Sequence, residues 1–316
     1  MRVLFVTNDY PTDNGPGNSP CVRQQLEDLG RLGIDTDLLY INTRKNKLNY
    51  LRGIMSVFWN SQVKNRFDLI HGHYGYCGLV ARAQLRCPVV TTFRGSDVLL
   101  ARQRHISRLV ARISDQVIVM TEEMKGVLRR TDAHVIPYGV DLDTFCPVDG
   151  DGARRELDLS IDDRLVLFPY DKNRSLKKYD LAEAAIGILV PEFPKLTLLT
   201  IHDKPPSVVA KYMNACDAMI LTSESEGAPV AVREALACNL PIVSVDVGDV
   251  AAAIQGVEWC YLAQRNPEDI AQKLRMVLRA RERSNGRLSA LRMSSAQSAH
   301  DVATAYRYAF LPRSSH

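Results

Sequence analysis

Residues 218–237 read AMILTSESEGAPVAVREALA, and the succession of residue types in this stretch decides the fold. Ala218 to Leu221 form an apolar run of the length of a buried strand. A turn of small and acidic residues follows, and Pro229 stands where a helix begins, because its fixed φ suits a first turn and its missing N–H is not needed there. Gly227, Ala228, Pro229 and Val230 then surround a helix N-terminus, where the backbone N–H groups of all but the proline suit phosphate. Glu226 lies just before that terminus and Glu234 inside the helix. Two acceptor-only carboxylates therefore reach different parts of one extended ligand, and the hydroxyls of a sugar and a ribose suit them. The plainer alternative has Glu226 favouring the helix dipole and Glu234 solvated.

Outward from this stretch, short apolar runs alternate with helix-period segments, the pattern of parallel βαβ units. In the first half, strands are expected at Val3–Thr7, Thr36–Ile41, Leu69–His71, Val89–Thr92, Gln116–Met120 and His134–Ile136. Ser19 and Pro20 open a first helix with Val22, Leu26 and Leu29 on one face, and Gly33 ends it. The run Asp149, Gly150, Asp151, Gly152 breaks the rhythm and is placed as a linker. Strands then resume near Leu165–Phe168, Leu196–Thr200, Ala218–Leu221 and Ile242–Val245. The expected architecture is α/β, with two Rossmann-like, doubly wound domains facing a central cleft. The first spans 1–148 and is joined by a terminal helix over 298–316, with an amphipathic core from Val302 to Phe310; the second spans 149–297.

The second half opens with a strand, a basic loop and a helix: LVLFPYDKNRSLKKYDLAEAA from Leu165. Such a loop can hold a diphosphate, since guanidinium and ammonium groups neutralise the charge that grows as a nucleotide leaves. The N-terminal loop from Asn14 to Ser19 contains Gly15 and Gly17, small residues that let a ligand approach the first helix. It is no dinucleotide fingerprint, because Pro20 replaces the last glycine, and a plain turn is the alternative.

Several of these segments, in order, resemble glycosyltransferase family 4, a retaining family with the two-domain GT-B fold. Glu226 to Glu234 look like its Glu-x7-Glu motif, and the likeness continues through CNLPIVSVDVGD, Cys238 to Asp249. Further matches are DLIHGHYG (Asp68–Gly75), PVVTTFRGSD (Pro88–Asp97) and VIPYGVD (Val135–Asp141). The resemblance implies that Glu226 binds the donor sugar, Glu234 the ribose, and Arg174 and Lys177 the diphosphate, with Lys178 and Lys172 as alternatives in that register. It places Gly17 beside donor phosphate, and Gly15, His73, Arg94, Ser96 and Asp97 on the sugar or acceptor side. Three residues depart from the family pattern: Arg94 where His is frequent, Tyr138 for Asn, and Ala228 for Ser. The second half is also one strand-helix unit short between Leu167 and Ala218. Uridine is favoured as the base on family frequency alone.

The implied activity is retaining transfer of a sugar from a nucleoside diphosphate to a glycan, lipid-linked or small-molecule acceptor. A sugar-nucleotide epimerase and a non-catalytic glycan-binding protein are the alternatives. No metal or other cofactor is expected. Asp35 and Asp37 read as a surface turn after Gly33 rather than a metal-binding Asp-x-Asp, and His71 and His73 have no matching carboxylates.

Composition agrees with a globular chain of two domains: 316 residues, 46% hydrophobic and 24% charged. The net charge of +4 is too weak for a nucleic-acid binder. Seven cysteines without a Cys-x-x-Cys pair read as thiols of a reducing compartment, so a cytoplasmic location is expected, with contact at the inner face of a membrane as a further option. Two basic segments bear on that option. Arg104, Arg108 and Arg112 recur at helical spacing near Arg102; Arg44, Lys45, Lys47 and Arg52 mix with Leu48, Leu51, Met55 and Phe58. They are read as a solvated face and a core face, with an anionic membrane or acceptor as the alternative partner.

Overall fold

The computed structural model describes residues 1–13, 15–43 and 45–311; Asn14, Arg44 and 312–316 of the expected terminal helix lie outside them. Two compact units result. The first comprises Met1–Thr12, Cys21–Tyr138 and the chain from Ser295 onward, and the second Asp13–Pro20 and Gly139–Ser294.

The first unit contains β1 (Arg2–Thr7), α1 (Pro20–Arg31), β2 (Asp35–Tyr40), α2 (Asn49–Val57), β3 (Leu69–His73), α3 (Gly75–Ala81), β4 (Val89–Thr92), α4 (Ser96–Leu99), α5 (Ala101–Ile113), β5 (Gln116–Val119), α6 (Glu122–Leu128) and β6 (His134–Val135). Its six parallel strands lie in the order β2-β1-β3-β4-β5-β6. Phe5 pairs with His71 and Thr7 with His73, so His73 ends β3 and His71 lies mid-strand, beside the point where the strand order reverses.

The second unit contains α7 (Gly150–Glu156), β7 (Arg164–Phe168), α8 (Tyr179–Leu189), β8 (Leu196–Thr200), α9 (Pro206–Ala215), β9 (Ala218–Leu221), α10 (Val230–Ala237), β10 (Ile242–Val245), α11 (Val250–Ile254), β11 (Tyr261–Ala263), α12 (Pro267–Ala280) and α13 (Arg287–Ala290). Its parallel order is β11-β10-β9-β7-β8. The chain leaves β7 for β8 on one side and returns to β9 on the other. The loops after β7 and β9 therefore flank a switch point, where ligands bind in such sheets. Ala218 to Leu221 and Leu165 to Phe168 are buried on both faces, which is why these strands read as unbroken apolar runs. The last helix, α14 (Ser295–Tyr308), belongs to the first unit, where Tyr306 is fully buried.

Four local expectations change. The run from Asp149 is no linker: the Asp149 carboxylate accepts hydrogen bonds from the N–H groups of Asp151 and Gly152 and caps α7, and the division between units falls between Tyr138 and Gly139. Asp35 and Asp37 open edge strand β2 rather than a turn, with Arg2 Nη2 2.8 Å from Asp37 Oδ2. The stripe on α5 is only partly solvated, since Arg104 and Arg108 donate to the carbonyls of Leu99 and Val127 at 2.9 and 2.8 Å. Leu48, Leu51, Met55 and Phe58 are exposed rather than core; Gly53 and Val57 turn inward instead.

Candidate active site

In the second unit the loops after β7 and β9 are bonded to one another. Thr222 Oγ1 donates to the carbonyls of Lys177 and Lys178 at 3.0 and 2.8 Å, and Glu224 N–H donates to Leu176 O at 2.8 Å. Arg265 reaches in from the loop after β11 and donates to Ser223 O at 2.7 Å. These bonds fix the loop that carries Glu226 against the basic loop.

That fixation selects one lysine of the adjacent pair. Lys177 is 7% exposed, and its Nζ lies 2.5 Å from Glu226 Oε1 and 3.6 Å from the centroid of the Tyr170 ring. Lys178 takes a left-handed conformation, φ 51°, and its side chain turns to Glu224 at 3.1 Å. Burial pulls the Lys177 ammonium below its ordinary value, while Glu226 opposes the shift. Arg174 is exposed, and its guanidinium has no hydrogen bond or ion pair among the described residues. Its charge is nevertheless felt at both Lys177 and Tyr170.

Pro229 occupies the N-cap of α10, one position earlier than a first helical residue, and no side chain caps this terminus. The first N–H groups of the helix are thus left without an acceptor side chain. Gly248, at φ 58°, packs on the same loop so closely that a Cβ there would lie 1.9 Å from Gly227 O. Glu234 projects from α10 only half-buried, its side-chain carboxyl without a hydrogen bond or ion pair among the described residues; desolvation raises that carboxyl to about 7. The Tyr170 hydroxyl is pushed far above its ordinary value by burial, then by Glu226 and Glu234, so it stays protonated. Tyr170 thus lies among the site's charged groups, and the sequence reading missed it.

The glycine loop belongs to this unit. Asn18 N–H closes a turn on Gly15 O at 3.2 Å, and Gly17 N–H donates to Asp203 Oδ1 at 3.0 Å. A Cβ on Gly17 would sit 2.6 Å from Asp203 Cα, so the close approach requires glycine. In the free protein this loop serves as a turn.

The remaining candidates belong to the first unit. His73 is fully buried, with Nδ1 2.9 Å from the Tyr138 hydroxyl, and its Nε2 has no hydrogen-bond partner among the described residues. Burial, with His71 and Arg94 adding to it, holds the His73 imidazole neutral. His71 bridges Tyr306 of α14 and Thr92, each at 2.7 Å. Arg94 lies 5.5 Å over the Tyr138 ring and 3.6 Å from Asp9, so Arg94 and His73 share Tyr138. Asp97 accepts hydrogen bonds from the N–H groups of Arg94, Gly95 and Gly75 and shapes the turn into α4. Desolvation lifts its carboxyl to about 6 against those donors. Ser96 is exposed and bonded to the Tyr74 hydroxyl at 2.7 Å.

Two parallel sheets with flanking helices, each with polar side chains at its switch point, have the architecture of GT-B glycosyltransferases. The Glycosyltransferase Family 4 model matches residues 12–144 and the Glycosyl transferases group 1 model residues 194–280. The chain belongs to the family 4 type of glycosyltransferase. It is 24% identical to TuaC of Bacillus subtilis, a glycosyltransferase assigned to teichuronic acid biosynthesis, over 87% of this chain and 88% of that one. It is 28% identical to a D-inositol 3-phosphate glycosyltransferase of Geodermatophilus obscurus, over 68% of this chain but only 60% of that relative. Among solved structures, sucrose-phosphate synthase of Thermosynechococcus elongatus superposes with a TM-score of 0.77 at 19% identity, over 98% of this chain and 99% of that one. HepE of Anabaena, solved with UDP-glucose, gives 0.68 at 15% identity, over 96% and 98%.

Proposed function

We propose that this glycosyltransferase is retaining and metal-independent, and that it moves a hexose from a nucleoside diphosphate, with UDP favoured, to a hydroxyl of a glycan, a lipid-linked sugar or a small molecule. The observation that carries the reading is the grouping of Lys177, Glu226, Tyr170 and Glu234 at the β7/β9 switch point, beside the uncapped start of α10 and an Arg174 guanidinium without a partner among the described residues. The support for uridine is that HepE was solved with UDP-glucose.

In this reading Glu234 accepts from the ribose hydroxyls and Glu226 from the donor sugar. Arg174, Lys177 and the first N–H groups of α10 hold the diphosphate. Donor binding then breaks the Lys177–Glu226 pair: the ammonium turns to phosphate and the carboxylate to a sugar hydroxyl, so both charges keep a partner. The bond between the anomeric carbon and the β-phosphate oxygen breaks. The acceptor oxygen attacks from the same face, and its proton passes to the departing phosphate. Charge grows on the diphosphate through this step, where fixed cations stabilise it most. No side chain is assigned as a covalent nucleophile; positioning and charge stabilisation carry the catalysis. His73, Arg94 and Ser96 serve the sugar or acceptor side, with Asp97 shaping the turn that carries two of them.

The test is incubation with UDP-sugars and hydroxyl acceptors in EDTA, followed by NMR of the new anomeric centre. A retained anomer formed without metal supports the proposal. An inverted anomer or a strict metal requirement contradicts it, and conversion of the donor sugar without an acceptor would favour an epimerase.

A further inference from the structure

The apolar face displaced from the core calls for a partner. α2 and the π-helical stretch that continues it, Phe58–Val63, pack on the first unit through Gly53, Val57 and Ser61. Gly53 makes this approach feasible, since a Cβ there would lie 2.8 Å from Ile41 Cδ1. The opposite face is nonpolar: Leu48, Leu51, Met55, Phe58, Trp59 and Val63 are 64, 58, 72, 49, 54 and 51% exposed. The π-type bond from Lys64 N–H to Trp59 O, 3.0 Å, accommodates one extra residue in the last turn. Phe58 and Trp59 both stay outward while Ser61 is buried. Leu85, 85% exposed, adjoins this face through its N–H bond to Gln62 Oε1 at 3.1 Å.

The charge around this face has one sign. From Leu38 to Phe67 the chain has six Lys or Arg and no Asp or Glu. Lys45, Lys47, Arg52 and Lys64 are exposed and form no ion pair with a described residue. Exposed aromatic and aliphatic side chains interspersed with cations that pair with no described residue match the boundary between lipid headgroups and acyl chains, where the apolar groups insert and the cations meet anionic headgroups. A second copy of this chain fits poorly, because docking like faces would bring two sets of cations together with no carboxylate between them.

We propose that the face formed by Leu48 to Val63 docks this protein on a membrane containing anionic lipids. No helix among the described residues is long and apolar enough to cross a membrane, so the contact is one of lying on the surface. It stands apart from the donor chemistry and from the residues assigned to it.

The experiment is sedimentation of the whole chain with phosphatidylglycerol/phosphatidylcholine vesicles and with phosphatidylcholine alone. Binding to the anionic vesicles is expected to be at least tenfold tighter and to weaken in high salt. Lys47→Glu/Arg52→Glu and Met55→Ser/Trp59→Ser should each weaken it at least tenfold while leaving the circular dichroism spectrum unchanged. Vesicles should also shift Trp59 emission to the blue, an effect lost in Trp59→Phe, where Trp259 alone remains. Failure to bind anionic vesicles, binding unchanged in either double variant, or a dimer in analytical ultracentrifugation that Met55→Ser/Trp59→Ser abolishes would each overturn the proposal.

Discussion

Lys177 Nζ lies 2.5 Å from Glu226 Oε1, both side chains largely shielded from water, so the residue assigned to the diphosphate and the residue assigned to the sugar are paired to each other before any donor arrives. The pair keeps two partly buried charges satisfied while the site is free. It also sets a competition, since phosphate must take Lys177 from Glu226. Glu226→Ala should therefore leave the affinity for a free nucleoside diphosphate intact or slightly higher, while impairing binding or transfer of the sugar nucleotide. Calorimetry with both ligands measures this, and an equal loss for the two would contradict the division of roles.

Glu234 supplies a pH signature. Its carboxyl is raised to about 7 by desolvation, so the free protein holds it mostly protonated below that pH. A protonated carboxyl has lost part of its acceptor capacity toward ribose hydroxyls. Nucleotide affinity should fall as the pH drops from 8 to 6, and Glu234→Gln should flatten that dependence. Stability runs the other way. A carboxyl whose folded pKa lies above its unfolded value costs stability as the pH rises between the two, in full above about 7. Glu234→Gln should raise the melting temperature at pH 8, with the gain fading toward pH 4.5.

Arg174 and Lys177 should matter more to turnover than to donor affinity, because the charge they face grows as the glycosidic bond breaks. By analogy with the loss of one oxyanion-stabilising donor, either alanine variant should cost about 3 kcal/mol, on the order of a hundredfold in rate. Arg174→Lys should recover part, having charge without the planar fork of donors. Single-turnover transfer compared with donor dissociation constants checks this. A fall in affinity alone would mean that the loop only binds.

A second ion pair adjoins the loop that carries Glu226 and Gly227. Arg233, 1% exposed, bonds through Nη2 to Asp249 Oδ2, next to the Gly248 that packs on Gly227. Its Nε and Nη1 have no other partner among the described residues. Asp249→Ala would strand this guanidinium in the core and should cost about 3–5 kcal/mol of stability. Thermal unfolding of Asp249→Ala and of Arg233→Met/Asp249→Asn measures it; the double variant should lose less than the single one.

The parallel strands were readable because strands buried on both faces appear as unbroken apolar runs between turn residues, as in Ala218–Leu221. β11 was not, since it is only three residues long, Tyr261 to Ala263, at the sheet edge, with Ala263 alone buried. The start of α10 was visible in its residue types, with Glu226 before Pro229 and Glu234 inside the helix. The choice between Lys177 and Lys178 was not, because it depends on a left-handed turn at Lys178 that leaves no mark in residue type. Tyr170 escaped notice since an aromatic residue after a strand ordinarily reads as packing. On α2 the helical period was correct but the side was not: Gly53, Val57 and Ser61 are small enough to face inward, leaving the larger apolar residues outside.

The central claim is that the β7/β9 switch point binds a nucleoside diphosphate sugar through Glu234, Lys177 and Glu226. The most direct measurement is calorimetric titration of UDP, GDP and ADP, with and without a hexose attached, into the unaltered protein and into Glu234→Ala, Lys177→Ala and Glu226→Ala. One nucleoside diphosphate, UDP by this account, should bind without added metal, lose at least tenfold in affinity in Glu234→Ala, weaken in Lys177→Ala and hold in Glu226→Ala. Absence of binding by all three nucleotides, or equal binding to the unaltered protein and Glu234→Ala, would contradict it.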